Sequence, residues 1–260
     1  MKNKYKNLSK DELYLISRAE YEKQNLITTE FAQKLFPDKN KASRVLVFLT
    51  KKGRLIRIEK GKYVLVPIKA PNQQWMPNEF IVASLWMGDT PYYIGYFTMY
   101  NYWGFTEQIP RTVFVLNTGK SSKKDINGIR YEAVKIKKEK YYGVQKIKVE
   151  DKDVFISDKE RTLVDFASNP LGSMRNFEIA LQENIQNINV EKFVRYLIKF
   201  PVVSVKKRAG FLLEQFGCSE NILNPLRKAI GKKRVLVPLD PYKASRKGKI
   251  NNDWKIIVNR

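Results

Sequence analysis

Apolar residues fall at three-to-four spacing at the start of the chain, closer to alternation in its middle, and back at helical spacing towards its end. Ala42, Val45, Leu46 and Leu49 repeat at i, i+3, i+4 and i+7 and predict one core-facing stripe on a helix that Asp38 opens and Gly53 ends. Ahead of it, Phe31, Ala32 and Leu35 form the inner face of a short helix. Thr28 or Thr29 caps that helix, because a threonine hydroxyl accepts an otherwise unpaired amide hydrogen. A first helix runs from about Lys10 to Gln24, with Leu13, Ile16 and Ala19 on one side. After Gly53 the period shortens: Leu55 to Glu59 and Tyr63 to Val66 flank a Lys60-Gly61-Lys62 turn and read as a two-stranded hairpin.

Three helices followed by a hairpin predict a winged helix-turn-helix over residues 1–66. Pro67, Pro71 and Pro77 then disfavour helix and central strand, so 67–77 reads as a stiff connection. A larger domain follows at 78–260. Asn78 is its first helix cap, leading EFIVASLWM to a stop at Gly88. Seven Tyr, Trp or Phe residues lie from Tyr92 to Trp103, a density that favours core over a base-stacking platform. Strands are expected at Arg111 to Asn117, Ile129 to Ile136, Val144 to Val149 and Asp153 to Ser157. Asn127-Gly128 is expected as a two-residue hairpin turn. KSSKKD and KIKKEKYYG read as exposed basic loops. Ser157 and Glu160 read as a capping box at a return to helix. Helices then cover Asn176–Ile185, Val190–Phe200 and Val203–Phe216, with short strands at Val235–Val237 and Lys255–Val258. The fold class expected is α+β: a winged helix-turn-helix, then a mixed α/β domain with a small sheet and several helices.

Charge sharpens this picture. Lys and Arg number 49 against 26 Asp and Glu, a formal net charge of +23, which points to a polyanionic partner. The first 70 residues hold 17 basic and 7 acidic side chains. There is no histidine, which removes Ser-His-Asp and Cys-His catalysis and imidazole metal ligation. The single cysteine, Cys218, forms no internal disulfide or thiolate zinc site and reads as packing. The polar start MKNKYKNLSKDELY lacks the apolar core of a signal peptide, and no apolar run approaches the ~18–20 residues a bilayer needs. The expectation is a cytoplasmic protein with no membrane partner, no cofactor, no metal and no enzymatic activity.

Recognition helices present their N-terminal residues to base edges, which here are Lys39, Asn40, Lys41, Ser43 and Arg44. Arg44 is suited to guanine O6 and N7 because its fork is bidentate, and Val47 to a thymine methyl. Lys51, Lys52, Arg54, Arg57, Lys60 and Lys62 are suited to phosphates, which position a protein without reading sequence. One winged helix covers one half-site. The expected partner is therefore double-stranded DNA with repeated half-sites, bound by a monomer or weak dimer that is cooperative on DNA. The stretch Arg227 to Arg260, with 11 basic and 2 acidic residues, reads equally as added backbone contacts that stabilise bent DNA and as a solvated surface.

Four segments in this order, KKGRLIRIEKGKYVLVP, ISDKERTLVDFASNP, KKRAGFLLEQFG and NDWKIIVNR, resemble the AbiEi family of antitoxins, from type IV toxin-antitoxin systems linked to abortive phage infection. The resemblance covers nearly the whole chain. It implies an N-terminal winged helix that represses its own operon and a C-terminal domain that neutralises a nucleotidyltransferase-like toxin, directly or indirectly. Glu160, Arg161, Thr162 and Asp165, with Arg208, Gly210, Leu213 and Glu214, match the family's characteristic segments. The chain departs from the family pattern in reading MYNYWGF where a histidine is common, and in Ala209 where a larger apolar residue is usual.

Two other readings compete. A ligand-sensing winged-helix regulator needs no toxin, and the aromatic density makes a pocket conceivable. A metal-dependent nuclease would need converging carboxylates. Asp125, Glu132 with Lys135, Asp151, Asp153 and Asp158 are the candidates, although Glu132 and Lys135 lack the tight acid-x-Lys spacing.

Overall fold

The computed structural model describes residues 7–70, 75, 77–231 and 235–259. Contacts within the chain divide it into two units. The first comprises Met1–Asp89, Lys124–Tyr131 and Val149–Lys152; the second comprises Thr90–Lys123, Glu132–Lys148 and Asp153–Arg260.

The first unit opens with α1 (Lys10–Tyr21), β1 (Leu26–Thr28), α2 (Thr29–Leu35), α3 (Lys39–Lys51), β2 (Leu55–Glu59) and β3 (Lys62–Leu65). The strands form an antiparallel sheet in the order β1-β3-β2, with Ile27 opposite Tyr63 and Leu55 opposite Leu65. This is the winged helix-turn-helix expected from the spacing. Each helix end has a local cause. Ser9 caps α1 in a capping box with Glu12, whose carboxylate accepts from the Ser9 amide at 2.6 Å. Thr28 Oγ1 accepts from the Phe31 amide at 3.1 Å, and Asp38 from the Asn40 amide at 2.8 Å. Leu15, Ile16, Ala19, Ala32, Ala42, Leu46, Leu49 and Leu55 close a core beneath the three helices. Burial at this level, about 1.5–3 kcal/mol for each large aliphatic side chain, dominates what short helices can supply alone. Gly61 (φ +77) makes the wing turn, and its carbonyl accepts from the Thr29 amide at 2.9 Å.

Helix α4 (Glu79–Met87) follows, capped by Asn78 and stopped at Gly88, both as expected. It belongs to the first unit, so the division of contacts falls after α4. The expected connection at 67–77 includes 71–74 and 76, which lie outside the described residues. The Trp86 ring meets Tyr131 edge-on at 6.2 Å, and the Lys124 ammonium sits 5.8 Å from the Trp86 ring centre. These contacts tie residues 124–131 to α4.

The chain continues with β4 (Tyr92–Ile94), α5 (Tyr96–Tyr102), β5 (Thr112–Asn117), β6 (Ser122–Ile126), β7 (Ile129–Lys135), β8 (Val144–Val149) and β9 (Lys152–Ser157). These strands form a mixed six-stranded sheet in the order β6-β7-β5-β4-β9-β8, with β4 antiparallel to β5 and parallel to β9. Asn127 and Gly128 both take positive φ, as a two-residue hairpin turn requires. KSSKKD, expected as a loop, contributes most of edge strand β6. KIKKEKYYG carries a 3-10 turn at Lys138–Lys140.

Helices α6 (Lys159–Ser168), α7 (Met174–Asn184), α8 (Val190–Lys199), α9 (Val203–Gln215) and α10 (Glu220–Ile230) pack around Phe166, Phe177, Phe193, Leu212, Leu223 and Trp254. Helix α10 has no counterpart among the expected elements. A small sheet of β10 (Val237–Pro238), β11 (Lys249–Asn251) and β12 (Ile256–Val258) ends the chain. The class is α+β, as expected. The aromatic run is core: Tyr100 stacks on Phe166 at 4.2 Å, and Trp103 Nε1 donates to the Ser157 carbonyl at 3.0 Å. Cys218 packs half-buried against that core, and burial raises its thiol pKa.

Candidate nucleic-acid interface

Helix α3 has two faces. Ala42, Val45, Leu46 and Leu49 are buried, while Lys39, Asn40, Ser43, Arg44, Val47 and Lys51 are exposed. The Arg44 guanidinium is solvent-facing, with Asp38 at 3.9 Å as its nearest acid, a separation that leaves it free to swing. Asp38 is the helix cap, so its carboxylate is already shared with the Asn40 amide. Lys51 leans over the Phe48 ring at 6.0 Å. Arg57 and Lys60 are exposed on the wing.

Four expected DNA contacts are differently engaged. The Lys41 ammonium pairs with Asp11 at 2.9 Å and lies 5.4 Å from the Phe36 ring centre, so it ties α3 to α1. Lys62 pairs with Glu59 at 2.9 Å on the wing itself. Lys52 is corrected from a phosphate contact to a core tie. Its ammonium sits 2.6 Å from the Glu12 carboxylate, which is almost fully buried, and also donates to the Asn7 carbonyl. Glu12 is the acid of the capping box, so one carboxylate closes α1 and fixes the end of α3. Burial works against its charge, but Lys52 and the Ser9 amide outweigh that and hold its pKa below the ordinary value. Arg54 is also corrected: it is 7% exposed and donates inward to the Pro67 carbonyl at 3.3 Å, out of reach of a phosphate.

The antitoxin-motif residues lie on α6 and α9, and most of them point inward. Arg161 is 1% exposed; its Nη2 donates to Asp165 Oδ1 at 2.8 Å and its Nε to Oδ2 at 3.3 Å. The Tyr93 hydroxyl accepts from Nη2 at 2.8 Å and itself lies 3.3 Å from Asp165 Oδ2. The guanidinium is 4.4 Å from the Tyr142 ring centre and 5.7 Å from that of Phe200, and its Nη1 has no hydrogen-bond partner among the described residues. Complete burial lifts the Asp165 carboxyl above its ordinary value while Arg161 pulls against that. Burial disfavours the Arg161 charge too, but Asp165 more than offsets it and keeps the guanidinium protonated.

Glu160 does not complete a capping box with Ser157. Asp158 is the cap, accepting from the Arg161 amide at 2.8 Å, because Ser157 is still in β9 with its hydroxyl 2.7 Å from Thr162 Oγ1. Glu160 instead accepts from the Asn189 amide at 2.9 Å and from the Lys192 ammonium at 2.8 Å. On α9, half-buried Arg208 donates to the Pro238 carbonyl at 3.0 Å. Glu214 pairs with Arg227, whose guanidinium lies 4.8 Å from the Trp254 ring centre. Gly210 faces that same indole, where a Cβ would come within 2.1 Å of a ring carbon. In the basic stretch after Arg227, Lys243, Arg246, Lys247 and Lys249 are exposed, while Lys232, Lys233, Arg234 and Arg260 lie outside the described residues.

The carboxylates weighed for a nuclease are mostly in other work. Asp125 caps the β6–β7 turn through the Gly128 amide, Glu132 pairs with Lys123, Asp153 pairs with Lys146, and Asp158 caps α6. Among the described residues no group of three or more His, Cys, Asp or Glu is placed to hold a metal ion, and no helix is long and apolar enough to cross a membrane.

No protein-family model and no curated protein matches the chain. Among solved structures, the fold is similar to that of the RV2827C protein from Mycobacterium tuberculosis. The TM-score is 0.66 at 14% identity, covering 97% of this chain and 92% of that one. Likeness at this identity is likeness of fold.

Proposed function

We propose that the chain is a DNA-binding repressor of its own operon and the antitoxin of a type IV toxin-antitoxin system, with no enzymatic activity of its own. The observation that carries the DNA reading is α3: its inner stripe is locked in a core while Lys39, Asn40, Ser43 and Arg44 stand exposed at its N-terminal half. A major groove admits such a helix, and those side chains supply donors for base edges. Arg57, Lys60 and Lys51 add phosphate contacts, and repeated half-sites in the promoter would be filled by cooperative copies.

The antitoxin part rests on the family resemblance of the α6 and α9 segments. Arg161 and Asp165 are buried in hydrogen bonds to each other, and Thr162 is buried against the Ser157 hydroxyl, which supports a role in building the domain rather than in touching a toxin.

The test is a gel shift of the purified chain on its own upstream DNA against a scrambled duplex, at two salt concentrations. Tighter binding to its own promoter that is lost on Arg44→Ala supports the repressor. Equal, strongly salt-dependent binding to both duplexes removes it. Rescue of growth from the product of the adjacent gene then tests the antitoxin part.

A further inference from the structure

The second unit carries a cleft of about 380 Å³ whose charge is one-sided. Lys135, Lys137 and Lys140 line it, opposed by a single acid, Glu139. Among the described residues none of the three lysines is ion-paired, in contrast to Lys192, Lys146 and Lys123 elsewhere in this unit. Lys140 is half-buried with its ammonium 5.0 Å from the Phe200 ring centre. The rest of its lining is apolar or aromatic: Tyr96, Val134, Ile136, Pro201 and Val202.

Tyr96 is held in that lining by the backbone. It has φ +50, a conformation that side-chain-bearing residues rarely adopt and that tends to cluster at ligand sites. Gly95 before it makes the approach possible, since a Cβ there would lie 2.7 Å from Leu116 and 2.9 Å from Tyr93. The Tyr96 ring rests edge-on against Phe114 at 6.0 Å, and burial pushes its phenol up to about 12, so it stays a donor at any physiological pH.

We propose that this cleft, bounded by Tyr96 and the lysines at 135, 137 and 140, is a binding site for a phosphorylated nucleoside, the ammonium groups taking the phosphate and the apolar lining the base. Lysine suits a phosphate as a mobile point charge. The volume is within the ~300–1,000 Å³ usual for small-molecule sites. Another cavity, of about 270 Å³, lacks this asymmetry, because its two bases, Arg175 and Lys243, are matched by two acids, Glu178 and Asp240. The site stands apart from the DNA-binding reading, which concerns residues of the first unit.

The experiment is calorimetric titration of the full chain with AMP, ATP and inorganic phosphate at about 0.15 M salt, where surface charge is screened beyond roughly 8 Å. The expected result is saturable one-to-one binding of ATP and AMP, with AMP about tenfold or more tighter than phosphate. The Lys137→Glu/Lys140→Glu variant should lose it by a similar factor, while Lys228→Glu on α10 keeps it. Tyr96→Asn, which tolerates the left-handed backbone, should bring AMP down to the level of phosphate. Binding that survives the double reversal overturns the site, as does AMP binding no tighter than phosphate. A single-stranded RNA oligomer that binds where AMP and ATP do not, and is lost in the double reversal, also overturns the nucleotide and gives the cleft to a strand.

Discussion

The Arg161 guanidinium donates to the Tyr93 hydroxyl at 2.8 Å although 68 positions separate the two residues in the chain. The bond joins the first turn of α6 to the central strand β4, in a site that excludes water and where Asp165 is the counter-charge. Removing one member of a buried pair strands the other. Arg161→Met should therefore cost about 3–5 kcal/mol, and Arg161→Lys should recover little because an ammonium cannot make the bidentate contact. Tyr93→Phe should cost about 1–3 kcal/mol through the donor it leaves unmet. Urea unfolding measures all three. A Tyr93→Phe midpoint equal to wild type would remove the hydroxyl from this account.

Gly210 has no room for a methyl group, since the Trp254 indole already occupies it at 2.1 Å from the position a Cβ would take. Gly210→Ala should destabilise by about 1–3 kcal/mol by overpacking. The double change Gly210→Ala/Trp254→Leu should lose less than the two single changes summed, because they share one space. An additive result in thermal denaturation rejects direct contact as the cause.

The structure separates two kinds of basic residue in the first unit. Arg44→Ala should weaken binding to the specific site by about 1–3 kcal/mol and relax one base preference. Lys60→Ala should weaken all sequences alike and lower the salt slope by about 0.9. Lys52→Ala should instead lower stability, because it leaves Glu12 buried without its partner, and barely change the affinity of the protein that remains folded. A normal melting temperature with lost DNA binding in Lys52→Ala would return that lysine to the interface.

Acid should act through Glu12 and Glu160, both held below the ordinary glutamate value of 4.5. A depressed carboxylate contributes stability that is present above its unfolded pKa and is lost as pH falls through the folded one. The decline therefore begins near pH 4.5 and continues below it. Tyr142 and Tyr196 are both raised to about 12 by burial, so their contribution is full below pH 10 and lost between 10 and 12. Asp165, raised by burial, acts with the opposite sign and loses its contribution as pH rises through its folded value. With no histidine, any slope between about pH 5 and 8 should vanish in Asp165→Asn, and one that persists contradicts the assignment; Glu12→Gln should shallow the acid limb.

Elements with internal periodicity were the readable ones. Helix α3 announces itself because one stripe meets one core, and the Asn127-Gly128 turn because its two residues tolerate φ of 52° and 84°. Strand β6 was hidden because it lies at a sheet edge, where Lys123 and Lys124 replace the alternation of an inner strand. Helix α10 was masked by Pro225, which breaks a helix in isolation but is tolerated here while Leu223, Leu226 and Ile230 bury one face. At the candidate interface the sequence registers charge but not direction. Lys52 and Arg54 look like their neighbours until Glu12, 40 positions before Lys52, claims one and the Pro67 carbonyl the other. The Ser157–Glu160 motif failed by one residue because the strand takes in Ser157 and leaves the cap to Asp158.

Lys124 donates to the Ile58 carbonyl at the base of the wing across 66 positions, and Glu59 beside it lies 3.6 Å from the same ammonium. During synthesis the three helices and the hairpin leave the ribosome together and hold all the residues of their own core. The side chain that steadies strand β2 emerges much later. A nascent chain arrested before residue 124 would carry a formed helix α3 beside a hairpin that lacks its Lys124 clasp, so translation itself sets the order in which the two parts of this module become firm.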